Sequence, residues 1–129
     1  MSQPIDQEPF DSLVRSALDF AEKAARQIKT APKYAVIHLA TAIELFLKAR
    51  LVKEHWALAV SRPEKASIAS FRSGAFHSVG LDEAVERLRN IVGEAISRDE
   101  ETCFRQLRDH RNKLVHNLRT HRTSFPLSV

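Results

Sequence analysis

Between Tyr34 and Leu47 the chain is apolar on almost every side of a helix. Tyr34, Val36, Ile37, Leu39, Ala40, Ile43, Leu45, Phe46 and Leu47 leave only a narrow polar stripe. A helix of that character has to be covered from several directions at once. The stretch therefore predicts a central helix with others packed around it. It spans about fourteen residues and contains His38 and Glu44, whereas a membrane span needs about twenty apolar residues, so no membrane association is expected. The break at Thr30-Ala31-Pro32 places its start near Pro32, and the pattern continues to Val60, roughly 40 Å at 1.5 Å per residue.

Composition points the same way. Only three glycines and five prolines occur in 129 residues, which favours helices over the Gly-rich turns of an all-β chain. The length suits a single domain, and the expected fold class is all-α. One cysteine, Cys103, cannot form an internal disulfide and reads as core filler on a helix. No Cys/His cluster has zinc-ligand spacing, so a cytoplasmic protein without metal or cofactor is expected. The first residues lack the basic start and apolar run of a signal peptide.

Residues 1–8 are polar and read as a disordered lead-in, with Pro9 in the first turn of a helix. Phe10, Leu13, Val14, Ala17, Leu18, Ala21, Ala24, Ala25 and Ile28 then repeat at three and four residues. The small Ala21, Ala24 and Ala25 suit close approach of a neighbouring helix. After the central helix, residues 61–80 lose the periodicity and read as a long connection, with a short helix around residues 64–71. Its Arg62, Lys65, Arg72 and His77 belong either to a solvated loop or to an extended nucleic-acid surface. Leu81, Ala84, Val85, Leu88, Ile91, Val92, Ala95 and Ile96 predict a third helix, with Asp82 and Glu83 at its positive end. Ser97 and Glu100 have capping-box spacing, so a fourth helix starts near Arg98. The helical domain is thus expected over residues 9–122, with a short tail at 123–129.

The fourth helix carries the charge. Arg105, Arg108, Arg111, Lys113, Arg119 and Arg122 stand against one acid, Asp109, within eighteen residues, a net +5. The whole chain is only +4, so all other residues sum to −1 and the positive charge is local in sequence. Such a run suggests a polyanionic partner. Along the same helix Phe104, Leu107, Leu114 and Leu118 form an apolar seam whose missing member is Arg111. A guanidinium there needs an anion, or water in a cleft. A salt bridge to Glu44 and a functional role both satisfy that requirement. His38, Thr41, Glu44 and Lys48 share one face of the central helix and read either as a solvated edge or as the wall of a groove.

His116 lies five residues after Arg111, about 140° round an ideal helix, so one straight helix separates them. Three arrangements resolve this: a bridging Arg side chain, a distorted helix, or a second chain that completes the site. Asn112 shares the His116 face, where its amide is placed to orient the imidazole or to hold a phosphate oxygen.

Arg111-Asn112-Lys113-Leu114-Val115-His116 resembles the signature of the HEPN superfamily, an Arg followed after four to six residues by His, with a polar residue directly after the Arg. Its position late in a short helical chain, behind a long apolar second helix, is also HEPN-like, and the resemblance covers about residues 9–120. It implies an antiparallel bundle of four to five helices that forms a homodimer with the motif helices facing each other. It also implies a metal-independent endoribonuclease, in the family often a toxin or antiphage effector, or else a non-catalytic partner of a nucleotidyltransferase. Leu118 stands where HEPN toxins paired with such partners carry tyrosine, so control through that tyrosine is not expected.

RNA cleavage without metal requires proton transfer at the 2′-oxygen and the 5′-oxygen, and positive charge on the phosphorane. The resulting expectation assigns His116 to proton transfer, Arg111 to transition-state charge and Asn112 to orientation. Arg105, Arg108, Lys113 and Arg119 are expected on the RNA backbone, and Glu44 and His38 as groove residues or arginine partners. The alternative is a non-catalytic HEPN-like dimer that binds RNA, a nucleotide or a protein partner through the same surface. Sequence-specific DNA recognition ranks third, because no turn-linked helix pair with a polar recognition face is present.

Overall fold

The computed structural model describes the backbone of residues 4–124 and the side chains of residues 7–118. Within that range the chain is all-α: α1 (Pro4–Gln27), α2 (Pro32–Glu54), α3 (Ile68–Ser73), α4 (Leu81–Arg87) and α5 (Arg98–Ser124). The one β-type pairing among the described residues is an isolated bridge between Val60 and Ser78.

The first helix starts earlier than expected. Pro4 to Glu8 are helical rather than a loose lead-in, and Pro9 sits inside α1, where it cannot donate to the carbonyl one turn back. Residues 1–3 lie outside the described range, as does the expected tail beyond α5. The short link at 28–31 returns the chain so that α2 runs back along α1. Alanines allow close approach: Ala17 and Ala24 of α1 are buried, and so are Ala35, Ala42 and Ala49 of α2, in both helices at intervals of seven. Ala25 is exposed.

The central helix is shorter than its hydrophobic pattern. It ends at Glu54, because His55 turns extended (φ −165°, ψ 135°) and its Nδ1 accepts the Ala57 N–H at 3.0 Å, starting a separate 3-10 turn over Trp56–Ala59. A second 3-10 turn covers Pro63–Lys65, and the short helix expected around 64–71 lies at 68–73 instead. Burial is greatest near the C-terminal end of α2 rather than in its apolar first half. Leu51 and Val52 are fully buried, and these neighbours point into different cores. Leu51 meets Val79, Ala84 and Leu88, while Val52 meets Ala59, Val60 and Phe71, with Phe10 and Leu13 of α1 on the flank. Within the apolar stretch from Tyr34 to Leu47, Tyr34, Leu39 and Phe46 are 40–46% exposed.

The third predicted helix is interrupted. After Arg87 the chain widens into a π turn over Leu88–Val92, and Gly93 closes it at φ +87°, a left-handed conformation that glycine adopts without strain. Ala95 and Ile96 therefore fall outside the helix. Arg87 explains how the connection is held. Nη1 donates to the carbonyls of Leu58 and Val60, both at 2.7 Å, and Nη2 donates to Ser61 O (3.0 Å) and Glu83 Oε2 (2.9 Å). At α5 the capping box forms as expected: Glu100 N–H donates to Ser97 Oγ (3.0 Å), and Ser97 N–H donates to Glu100 Oε1 (2.8 Å). Cys103 is exposed on α5 and is not core filler. None of the described helices is long and apolar enough to cross a membrane.

Candidate functional site

Arg111 takes the seam position on α5 that its spacing assigns, and α2 supplies its anion. Nη1 donates to Glu44 Oε2 at 3.0 Å, with the side chains 19% and 20% exposed. The other edge of the guanidinium reaches its own neighbour, Nε and Nη2 donating to Asn112 Oδ1 at 3.3 and 3.2 Å. Asn112 oxygen is thus turned toward Arg111 rather than toward the imidazole. His116 is exposed, and among the described residues no hydrogen bond joins it to Arg111 or Asn112. The unbroken helix of α5 keeps the 140° separation within one chain.

The polar stripe of α2 is half-buried; three of its members reach other parts of the fold, and Thr41 bonds back within α2. His38 Nδ1 donates to Gln27 Oε1 of α1 (2.6 Å), with its ring 5.6 Å from that of Phe20. Thr41 Oγ1 donates to the Ile37 carbonyl (2.9 Å), Glu44 receives Arg111, and Lys48 Nζ donates to Ser78 Oγ (2.8 Å) in the α3–α4 connection. Burial lowers the Lys48 ammonium below its usual pKa; the charge of Glu44 opposes this and that of Arg111 adds to it.

Folding cancels much of the α5 charge. Arg105 Nε donates to Asp82 Oδ1 (3.0 Å), and its Nη2 lies 2.7 Å from Glu101 Oε2. Arg108 Nη1 lies 3.2 Å from Asp82 Oδ2, and its Nε donates to Asp109 (3.0 Å). Burial pushes the Asp82 carboxyl up, but the hydrogen bonds and charges of Arg108 and Arg105 together outweigh it and hold the group below the usual range. Lys113 remains exposed, and the side chain of Arg119 lies outside the described residues.

Two of the grooves among the described residues carry basic side chains singled out by the sequence. One, of about 450 Å³, runs between α4 and α5 past Glu86, Arg89 and the paired Asp82, Glu101 and Arg105. The other, of about 300 Å³, brings Arg62, Lys65 and His77 of the connection around Val60, Ala66 and Phe76. Arg72 lines a different surface with Glu8 and Ser12 of α1. Among the described residues no group of three or more His, Cys, Asp or Glu side chains gathers as metal ligands would.

Arg87 and Arg89 are the residues that pattern reading passed over. Arg89 donates to the carbonyls of Ile96 (2.8 Å) and Ser97 (3.2 Å) and to Glu101 (2.6 Å), fixing the start of α5. The i,i+4 spacing of Glu83 and Arg87 is the one local signal; the other partners are Glu101, twelve residues from Arg89, and backbone carbonyls that no side-chain pattern displays. Fold and site together define an all-α protein with a largely covered arginine–carboxylate pair joining two of its long helices, α2 and α5. No family model, curated protein or solved structure matches the chain.

Proposed function

We propose that the chain is a metal-independent endoribonuclease of the HEPN type, working in the cytoplasm as a homodimer in which two α5 helices of antiparallel bundles build one cleft. The observation that carries this reading is the arrangement on α5: Arg111 is held in place at the α2 seam while His116 and Asn112 are exposed. Within one chain Arg111 and His116 diverge, and a second α5 facing the first supplies the complementary half. The exposed Leu39 and Phe46 of α2 offer apolar surface for such an association.

In the reaction His116 takes the 2′-OH proton, or in the other copy delivers a proton to the 5′-oxygen. The 2′-oxygen forms a bond to phosphorus as the 5′-oxygen leaves. The products are a 2′,3′-cyclic phosphate and a 5′-hydroxyl. Arg111 bears the phosphorane charge, and Lys113 and Arg119 follow the backbone. Arg105 and Arg108 contribute less, since Asp82 and Glu101 already occupy them. A toxin or antiphage role fits this chemistry.

The Arg111–Glu44 pair favours a second reading, because it satisfies the guanidinium internally. In that reading the protein is a non-catalytic HEPN-like dimer that binds RNA, a nucleotide or a protein such as a nucleotidyltransferase. Incubation with a defined RNA in EDTA, beside Arg111→Ala and His116→Ala, separates the two. Cyclic-phosphate product from the wild type alone supports the nuclease. Equal cutting by His116→Ala, or none by the wild type, removes it, and a strictly monomeric chain in sedimentation removes the composite cleft.

A further inference from the structure

Glu44 and Lys48 stand one turn apart on α2, a spacing at which glutamate and lysine ordinarily pair with each other. Here they do not. Glu44 turns to Arg111 on α5, and Lys48 donates to the neutral hydroxyl of Ser78. No carboxylate among the described residues lies within 4.0 Å of the Lys48 ammonium, although the residue is half-buried. Arg105 and Arg108 of α5 each meet two carboxylates, whereas Lys48 meets none.

Nor is its position loose. Ser78 is fixed by backbone pairing on both sides, Ser61 N–H donating to His77 O (2.7 Å) and Val79 N–H donating to Ala59 O (3.0 Å). Those two links hold the Ser78 backbone, and its exposed hydroxyl meets the Lys48 ammonium at 2.8 Å. The seam between α2 and α5 thus holds Lys48 and Arg111 against the single carboxylate of Glu44, a net charge of +1 in a partly dehydrated place. Lys48 thus shares the one carboxylate of Glu44 with Arg111 and has no contact anion of its own among the described residues.

We propose that Lys48, Arg111 and the Ser78 hydroxyl form a binding site for one phosphodiester of single-stranded RNA, with Glu44 as the built-in anion that the phosphate displaces from Arg111. A phosphodiester carries the one negative charge the cluster lacks. Its two non-bridging oxygens match a guanidinium fork on one side and an ammonium on the other. The proposal rests on RNA being the ligand of the HEPN reading, and it adds Lys48 and Ser78 as backbone contacts and Glu44 as a competitor.

The test is equilibrium binding of a fluorescent single-stranded RNA to the full chain in a His116→Ala background, measured against salt concentration. Lys48→Gln is expected to weaken binding and to flatten the log Kd against log salt slope by about 0.7, the value for one lost contact on a single strand. Lys48→Arg restores the slope, Ser78→Ala weakens binding with the slope kept, and Glu44→Gln tightens binding several-fold. An unchanged affinity and slope in Lys48→Gln, or no RNA binding by the parent, overturns the site. If Lys48→Gln fails to fold, the opposite signs expected for Ser78→Ala and Glu44→Gln decide, and weaker binding by Glu44→Gln overturns it. Cleavage by the wild type is scored separately. RNA binding through Lys48 without turnover defeats the nuclease alone, and turnover with Lys48-independent binding defeats this site alone.

Discussion

Arg111 on α5 and Glu44 on α2, sixty-seven residues apart in sequence, meet with Nη1 3.0 Å from Oε2. Each side chain is about four-fifths covered, so the pair lies between an exposed bridge, worth about 0–1 kcal/mol, and a buried one, where loss of a partner costs about 3–5 kcal/mol. Glu44→Ala is expected to destabilise the fold by about 1–3 kcal/mol, and Arg111→Ala by a similar amount. In a double-mutant cycle read by urea denaturation the double variant should lose less than the sum. Strict additivity would show that the contact contributes nothing.

Arg87 is a larger structural dependency. Its side chain is 9% exposed, and three backbone carbonyls of the residue 58–61 segment rely on it. Arg87→Ala leaves them without that donor and should cost on the order of 3–5 kcal/mol. Lysine cannot reproduce the fork and should recover only part of this. Urea midpoints close to wild type would contradict the role.

Gly93 isolates a backbone effect. A Cβ built there meets no atom within 4 Å, so Gly93→Ala introduces no clash and carries only the strain of φ +87°. The expected loss is about 1 kcal/mol, with Gly93→Asn losing less. Thermal melts of the three proteins should rank in that order.

Acid should loosen the α4–α5 junction. The hydrogen bond from Ser97 N–H, helped by the Ser97 side chain and the charge of Arg89, holds Glu100 below its usual pKa, and Asp82 is depressed as well. A depressed folded value means that this stabilisation is complete above the ordinary 4.5 of Glu and 3.8 of Asp. It disappears as pH falls through the lower folded values. Urea midpoints should therefore be flat near neutrality and fall in acid, and less steeply for Asp82→Asn and Glu100→Gln. Curves parallel to wild type would show that neither group sets the acid limit.

For the nuclease, single-turnover cleavage in EDTA should fall by about 10²–10⁴ in His116→Ala. Lys113→Ala should raise KM and reduce salt sensitivity while kcat holds. An unchanged salt response would remove Lys113 from the RNA path.

Some of this protein is decided within a few residues and could be read from them. The all-α class, the start of α2 at Pro32, the start of α4 at Leu81 and the Ser97–Glu100 box all depend on local spacing, since a cap or helical repeat is satisfied by its own turn. So does the anomaly of Arg111 among Phe104, Leu107, Leu114 and Leu118, and Glu44 was legible as its partner by charge alone. Other features were set from a distance. The apolar run predicted helix as far as Val60, but His55 breaks it to cap a 3-10 turn, and Arg87 of α4 gathers the carbonyls of Leu58, Val60 and Ser61 in and after that turn. The repeat of the third helix predicted continuity to Ile96, but a π turn and Gly93 redirect the chain so that Arg89 can hold the start of α5. The +5 of the basic run was correct as arithmetic and incomplete as electrostatics, because Glu101 lies one turn before it on the same helix and Asp82 and Glu44 reach it only across the fold. Sequence spacing fixes which faces a helix presents. Which charges are cancelled, and which remain for a ligand as at Lys48, depends on distances across the fold, and Coulomb energy follows those distances rather than positions along the chain.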